Sequence, residues 1–118
     1  MDGIRIRLAN GESVSAKLEG GEAARAFRAL LPLRLELTDY NRTEKIADLP
    51  SRLTTRGEPD GIDPEPGDLA YYAPWGNLAL FYKDFGYSRG LVRLGRLDKV
   101  PDIFRQPGPM TVTIEAAP

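Results

Sequence analysis

Residues 67–82, Gly-Asp-Leu-Ala-Tyr-Tyr-Ala-Pro-Trp-Gly-Asn-Leu-Ala-Leu-Phe-Tyr, carry five of the chain's ten aromatic side chains (one Trp, five Tyr and four Phe in all) and read as two strands joined at Pro74-Trp75-Gly76-Asn77. Successive side chains of a strand point to opposite faces, so a run with so few polar residues is greasy on both. One face can pack a core. The other requires a second cover, a ligand or a partner. This points to a recognition surface and says nothing of a reaction.

What the chain lacks narrows the chemistry further. It has no cysteine, which removes disulfides, thiolate metal sites and thiol nucleophiles. It has no histidine, so Ser-His-Asp catalysis, histidine-bearing zinc sites and histidine pH switches are out of reach of this chain alone. Sixteen basic residues against seventeen acidic ones give a net charge of -1, which provides no field toward nucleic acid or an anionic membrane. The expected partners therefore include no nucleic acid and no membrane. At 118 residues the chain has the usual size of one domain, and residues 1–118 are expected to form one. No apolar run approaches the roughly 20 residues of a spanning helix, and Met1-Asp2-Gly3-Ile4-Arg5 is not a basic and then apolar leader, so the expected location is the cytoplasm.

The chain begins with strict alternation: Ile4, Ile6 and Leu8 against Arg5 and Arg7, then Val14, Ala16 and Leu18 against Ser13, Ser15 and Lys17. Between them Asn10-Gly11 supplies the positive backbone angles of a tight hairpin turn. Gly20-Gly21 ends the second strand. Residues 22–31 place Ala23, Phe27, Leu30 and Leu31 on one helical stripe, which Pro32 stops. Leu33, Leu35 and Leu37 alternate as a third strand, and residues 44–50 are compatible with strand or loop. From 54 to 68 the density of Gly and Pro excludes regular structure, and residues 83–90 form a second loop. Leu91 to Leu97 is a strand whose interior Gly95 implies a bulge or close backbone approach. A helical turn over 100–104 opened by Pro101, and a last strand of alternating Val112, Ile114 and Ala116, complete the chain. Seven or so short strands with one short helix predict a mainly β fold, a small closed or nearly closed barrel, because closure removes exposed strand edges.

This succession resembles a cyclophilin. It is more similar to the uncharacterised bacterial and archaeal cyclophilin-like proteins, through Leu31-Pro32, Glu44-Lys45 with Leu49-Pro50, Gly67-Asp68 and Leu94-Gly95-Arg96 in that order. The resemblance implies a cyclophilin-like barrel over nearly the whole chain and, from the true cyclophilins, prolyl isomerisation by an arginine beside an apolar proline pocket. Most of that site does not carry over. In the strand after the helix Arg34 is the sole arginine, Phe81 is the one pocket counterpart, the pocket histidine is missing, and Trp75 precedes the strand that the cyclophilin tryptophan follows.

Candidate ligand-binding residues are Tyr72, Trp75, Phe81, Tyr82 and Arg93. Trp75 lies in a turn between Pro74 and Gly76, poorly placed to be interior. Tyr72 and Tyr82 become its neighbours if they share the outer face, whereas rings on the inner face simply fill the barrel. Which of Tyr71 and Tyr72 faces inward fixes the register. Arg89, Arg93 and Arg96 could grip a carboxylate or carbonyl, or be paired with acids such as Asp84 or Asp98. Glu44 and Lys45, as strand neighbours, point to opposite faces, and a structural ion pair is the plainer role for them. Asp60, Asp63, Glu65 and Asp68 fit no calcium loop and read as solvated, and the glycines at 86, 90 and 95 lack the lysine and hydroxyl of a phosphate loop. The sequence names no particular catalytic residue, and no metal or cofactor is expected.

Three functions remain. The first is a binding domain that holds a small molecule or an extended, proline-containing peptide on an aromatic outer-barrel pocket. The second is a peptidyl-prolyl isomerase with a non-standard site. The third is an interaction domain whose hairpin surface is buried in a homodimer or hetero-complex.

Overall fold

In the computed structural model, which describes residues 2–117, the opening alternation becomes β1 (Gly3–Leu8) and β2 (Ser13–Leu18), with Ile4, Ile6, Leu8, Val14, Ala16 and Leu18 all buried. Their turn is longer than the sequence implies. Only Gly11 takes a positive φ, 91°, while the Leu8 N–H donates to the Glu12 carbonyl at 2.8 Å and the Gly11 N–H to the Leu8 carbonyl at 3.1 Å. This is the three-residue hairpin loop with a glycine in the left-handed position.

Helix α1 (Glu22–Ala29) stops two residues short of the predicted end, where the Leu30 N–H turns back to the carbonyls of Phe27 and Arg28. It buries Ala23, Ala24 and Phe27 against the barrel interior, and the Leu31–Pro32 bond that follows is cis. The next strands are β3 (Leu33–Tyr40) and β4 (Glu44–Asp48), so the ambiguous segment after residue 43 is strand. Then come β5 (Gly61–Ile62), β6 (Asp68–Tyr72), β7 (Asn77–Phe81), β8 (Ser88–Arg89) and β9 (Leu91–Leu97). A 3-10 turn (Asp102–Arg105) follows Pro101 and buries Phe104, and β10 (Met110–Ala116) is the last strand.

Eight strands close an antiparallel barrel in the order β1-β10-β3-β4-β7-β6-β9-β2. Closure leaves no unpaired edge in this sheet, which is how a small β domain avoids edge-to-edge association. The remaining two strands correct the expectation that residues 54–68 and 83–90 hold no regular structure. Gly61 pairs with Arg89 and Ile62 with Ser88, a two-rung ladder that draws the two loops together. A close approach makes this possible at Gly61, where a Cβ would collide with the Ser88 carbonyl and the Arg89 Cα on the partner strand.

The central hairpin is two-sided, as its composition demands. Leu69 and Tyr71 of β6 and Leu78 and Leu80 of β7 join the barrel core, and the Tyr71 hydroxyl accepts the Leu53 N–H at 3.1 Å. Ala70, Ala79 and Phe81 form a second cluster outside, with Leu91 of β9 and the partly buried Ile46, Ile62 and Tyr72. Tyr71 is therefore the inward ring and Tyr72 the outward one.

The glycine in β9 marks the irregularity predicted for it. Leu69 pairs with Gly95 but Ala70 pairs with Arg93, so Leu94 is an extra residue in β9. A Cβ on Gly95 would collide with the Lys17 carbonyl on β2. The bulge shifts the phase of alternation, so Leu94 and Leu97, three residues apart, both reach the core. Arg93 and Arg96 gain the same relation on the outside.

Candidate functional site

The outer faces of the five neighbouring strands β3, β4, β7, β6 and β9 form a shallow surface, and the site lies where its cover ends. The β5–β8 ladder lays Ile62 over Ala70, Ala79, Phe81 and Leu91. Beyond that cover a cleft of about 80 Å³ opens, lined by strand residues Tyr40, Glu44, Ile46, Tyr72, Asn77, Phe81 and Leu91, by Trp75 from the turn, and by Phe85 and Ser88 from the 83–90 loop. Larger hollows of 380 to 400 Å³ exist elsewhere, but they are more open and are lined largely by charged residues.

Local geometry explains how these side chains meet. Asn41 and Arg42 both have φ 55°, and the Thr43 N–H returns to the Tyr40 carbonyl at 3.2 Å, making a tight turn that sets Tyr40 directly opposite Glu44. Glu44 is flanked on its other side by Phe81. Tyr72 pairs with Asn77 across the β6–β7 hairpin. Its turn is closed by the Trp75 and Gly76 N–H groups on the Tyr72 carbonyl, at 3.2 and 2.9 Å. That turn holds the Trp75 indole outward, 55% exposed. The indole meets Tyr40 and Tyr72 nearly at right angles, with ring centroids at 5.5 and 5.3 Å. Phe85 leans on Phe81 at 6.1 Å.

Two polar groups stand in this aromatic setting. Glu44 is only 6% exposed, and the Thr43 hydroxyl donates to its Oε1 at 3.1 Å. Burial pushes its carboxyl up to about 7, against a smaller opposing effect of the Thr43 bond. Among the described residues no cation pairs with it. Asn77 is 3% exposed; its Nδ2 donates to the Leu78 carbonyl at 3.1 Å, which fixes the amide orientation and leaves the buried Oδ1 with no hydrogen-bond partner.

Of the five residues singled out by sequence, Tyr72, Trp75 and Phe81 line the cleft, whereas Tyr82 and Arg93 do not. Tyr82 continues the inward parity of Leu78 and Leu80 and is buried in the barrel core. Its hydroxyl donates to Asp39 at 3.2 Å, and burial together with that carboxylate raises its own titration. Arg93 is engaged by Asp68 rather than by Asp84 or Asp98. Its Nη2 lies 2.9 Å from Asp68 Oδ2, and Arg96 Nη1 lies 2.6 Å from Oδ1. The Asp68 bond raises the Arg93 titration further. Asp68 itself, read from sequence as one of four solvated loop carboxylates, is 0% exposed, while Asp60, Asp63 and Glu65 are exposed. Among the described residues no group of three carboxylates converges on a metal position.

Glu44 and Lys45 do face opposite ways, but the ion pair belongs to Lys45 alone. Its ammonium, buried at 0% exposure, donates to Asp39 at 2.9 Å and to the carbonyls of Gln106 and Gly108 at 2.8 and 3.0 Å. Burial raises the Asp39 carboxyl, but its bonds to Lys45 and the Gly108 N–H outweigh that and hold it below the ordinary range. Arg34, the arginine that the cyclophilin resemblance offers, is exposed on β3. It stands six residues from Tyr40, about 20 Å along the strand. Sequence reasoning missed Tyr40, Glu44 and Asn77 as site members, together with Ile46, Phe85, Ser88 and Leu91. The signal for Glu44 was its place in the Glu44-Lys45 pattern.

These features define an eight-stranded antiparallel barrel with an external aromatic cleft. A family model described as Cyclophilin-like family matches residues 8–115, and the chain belongs to that family. The solution structure of the hypothetical protein AF2241 from Archaeoglobus fulgidus is similar in fold, with a TM-score of 0.71 over 98% of this chain and 94% of that one, at 19% identity. No curated protein matches the chain in sequence. No helix among the described residues is long and apolar enough to cross a membrane.

Proposed function

We propose that this protein is a binding module that holds a small molecule or an extended peptide in the outer-barrel cleft around Tyr72, Trp75 and Phe81. The observation that carries this reading is the pairing of an exposed indole with two buried polar side chains, Glu44, which has no counter-ion among the described residues, and Asn77, whose Oδ1 has no hydrogen-bond partner. A buried polar atom without a partner costs stability, and such groups are retained where a ligand completes them. At about 80 Å³ the cleft is well below the roughly 300 Å³ of a site that encloses a whole drug-sized ligand. It suits one side chain of a peptide or one head group of a larger molecule. Titrating Trp75 fluorescence with proline-containing peptides and a metabolite panel tests the reading, and a flat response to every ligand would overturn it.

A second reading draws support from the exposed rings of Tyr40, Trp75, Phe85 and Tyr87, which give this side an apolar rim. In that case the surface is covered by a second copy or another protein. Light scattering separates the two readings, because a strict monomer at high concentration removes self-association. The isomerase alternative gains no support, since neither Arg34 nor Arg93 stands at the cleft.

A further inference from the structure

We propose that the occupant of this cleft is an organic cation, a primary or methylated ammonium group carried by a peptide lysine or by a free amine. The inference rests on the binding reading above and specifies its ligand.

Three properties of the cleft point the same way. The first is its walls. Trp75 with Tyr40 and Tyr72 forms a corner of rings set at 86° and 83°. Ring faces carry partial negative charge, and a cation within about 6 Å of a centroid is attracted to them. The second is the polar lining. Glu44 supplies carboxyl oxygens and Asn77 an unpartnered Oδ1, so the two buried polar side chains of the cleft both offer it acceptors. No lysine or arginine lines the cleft, so a carboxylate or phosphate would find no counter-charge there and would stand beside Glu44. A neutral apolar occupant would fill the space but strand both acceptors. The third is size, since about 80 Å³ fits one compact head group.

The acid–base consequence is specific. Glu44 faces Tyr40 from β3, Phe81 from β7, and the neutral Phe85 and Ser88 from the loop above. Lys45 and Asp39 pair with each other, and Lys45 leaves β4 by the opposite face. Tyr82 feels the Glu44 charge, and Arg42 in the adjacent turn acts on the same phenol. With its carboxyl at about 7 in the empty protein, Glu44 must ionise to hold a cation. Binding at pH 6 then releases roughly one proton, and affinity falls roughly tenfold per pH unit below that point.

The test uses the Trp75 signal and four probes at pH 8: an acetylated trimethyllysine amide, choline, the neutral isostere of the first with a tert-butyl head, and a cation-free proline peptide. Trimethyllysine amide should bind at least roughly tenfold tighter than its tert-butyl isostere. That margin should shrink to the roughly two- to fivefold that the rings alone provide in Glu44→Gln, which keeps the shape, and at pH 5.5. Calorimetry at pH 6 in two buffers of different ionisation enthalpy should show proton release. Comparable binding by choline assigns the site to free amines, and preference for the lysine amide assigns it to peptides. Equal or tighter binding of the isostere or the proline peptide overturns the cation inference and leaves the binding module standing. Silence from all four probes and the wider panel overturns both.

Discussion

Two carboxylates are buried on the outside of this barrel, and they are treated in opposite ways. Asp68 is gripped by Arg93 at 2.9 Å and Arg96 at 2.6 Å, a fork of donors on both of its oxygens. Glu44 has the hydroxyl of Thr43 and aromatic neighbours. A carboxylate with that many charge-assisted bonds is part of the scaffold, and removing it leaves guanidinium groups without their anion. A carboxylate without a counter-ion is a liability in the empty protein, and it titrates where solution conditions can reach it. The same surface thus separates a fastening from a vacancy in charge.

The largest expected effect is at the fastening. Asp68→Ala should cost about 3 kcal/mol in urea denaturation, at the low end for a broken buried pair because both arginines retain some exposure. A loss under about 1 kcal/mol would erase the distinction. Glu44 should behave with the opposite sign. Its native carboxyl titrates at about 7, above the ordinary value of 4.5. Its contribution is therefore fully present below pH 4.5 and is lost as pH rises through 7, because only the native state must then ionise a buried group. The loss is on the order of 2 kcal/mol after allowing for solvent screening. Glu44→Gln should match the wild type near pH 4 and exceed it by about 2 kcal/mol at pH 8, read from denaturation midpoints at both. Trp75→Ala should cost about 1 kcal/mol or less, since the indole is largely exposed, yet abolish any ligand response of the cleft read by calorimetry. Arg34→Ala, remote from both carboxylates, should shift stability by no more than about 0.5 kcal/mol.

The two carboxylates also mark how far the sequence can be read. Strict alternation made the inward sets of β1, β2 and β10 legible, and the breaker pattern placed the helix and the hairpin turn at Trp75. The aromatic hairpin was legible as two-sided, but with both faces greasy nothing local distinguishes Tyr71 from Tyr72. Tyr72 and Tyr82 look equivalent in the sequence and end on opposite sides, because the turn between β6 and β7 reverses which parity points inward. Asp68 reads as one more acid in a polar loop. Its partners are hidden because Arg93 and Arg96, three apart, belong on opposite faces of a regular strand. Glu44 could be seen to oppose Lys45, but only the tight turn through Asn41 and Arg42, with two non-glycine residues in left-handed geometry, brings Tyr40 beside it.

The single surplus residue in β9 acts as a gear with one tooth added. Everything after Leu94 runs half a cycle out of step with what came before, and both the hydrophobic layer and the arginine clamp depend on that slip. A β9 of the same length straightened into regular alternation would turn Arg96 toward the lumen and Leu97 toward water, so the two faces of this strand hold only while the surplus residue stays unpaired.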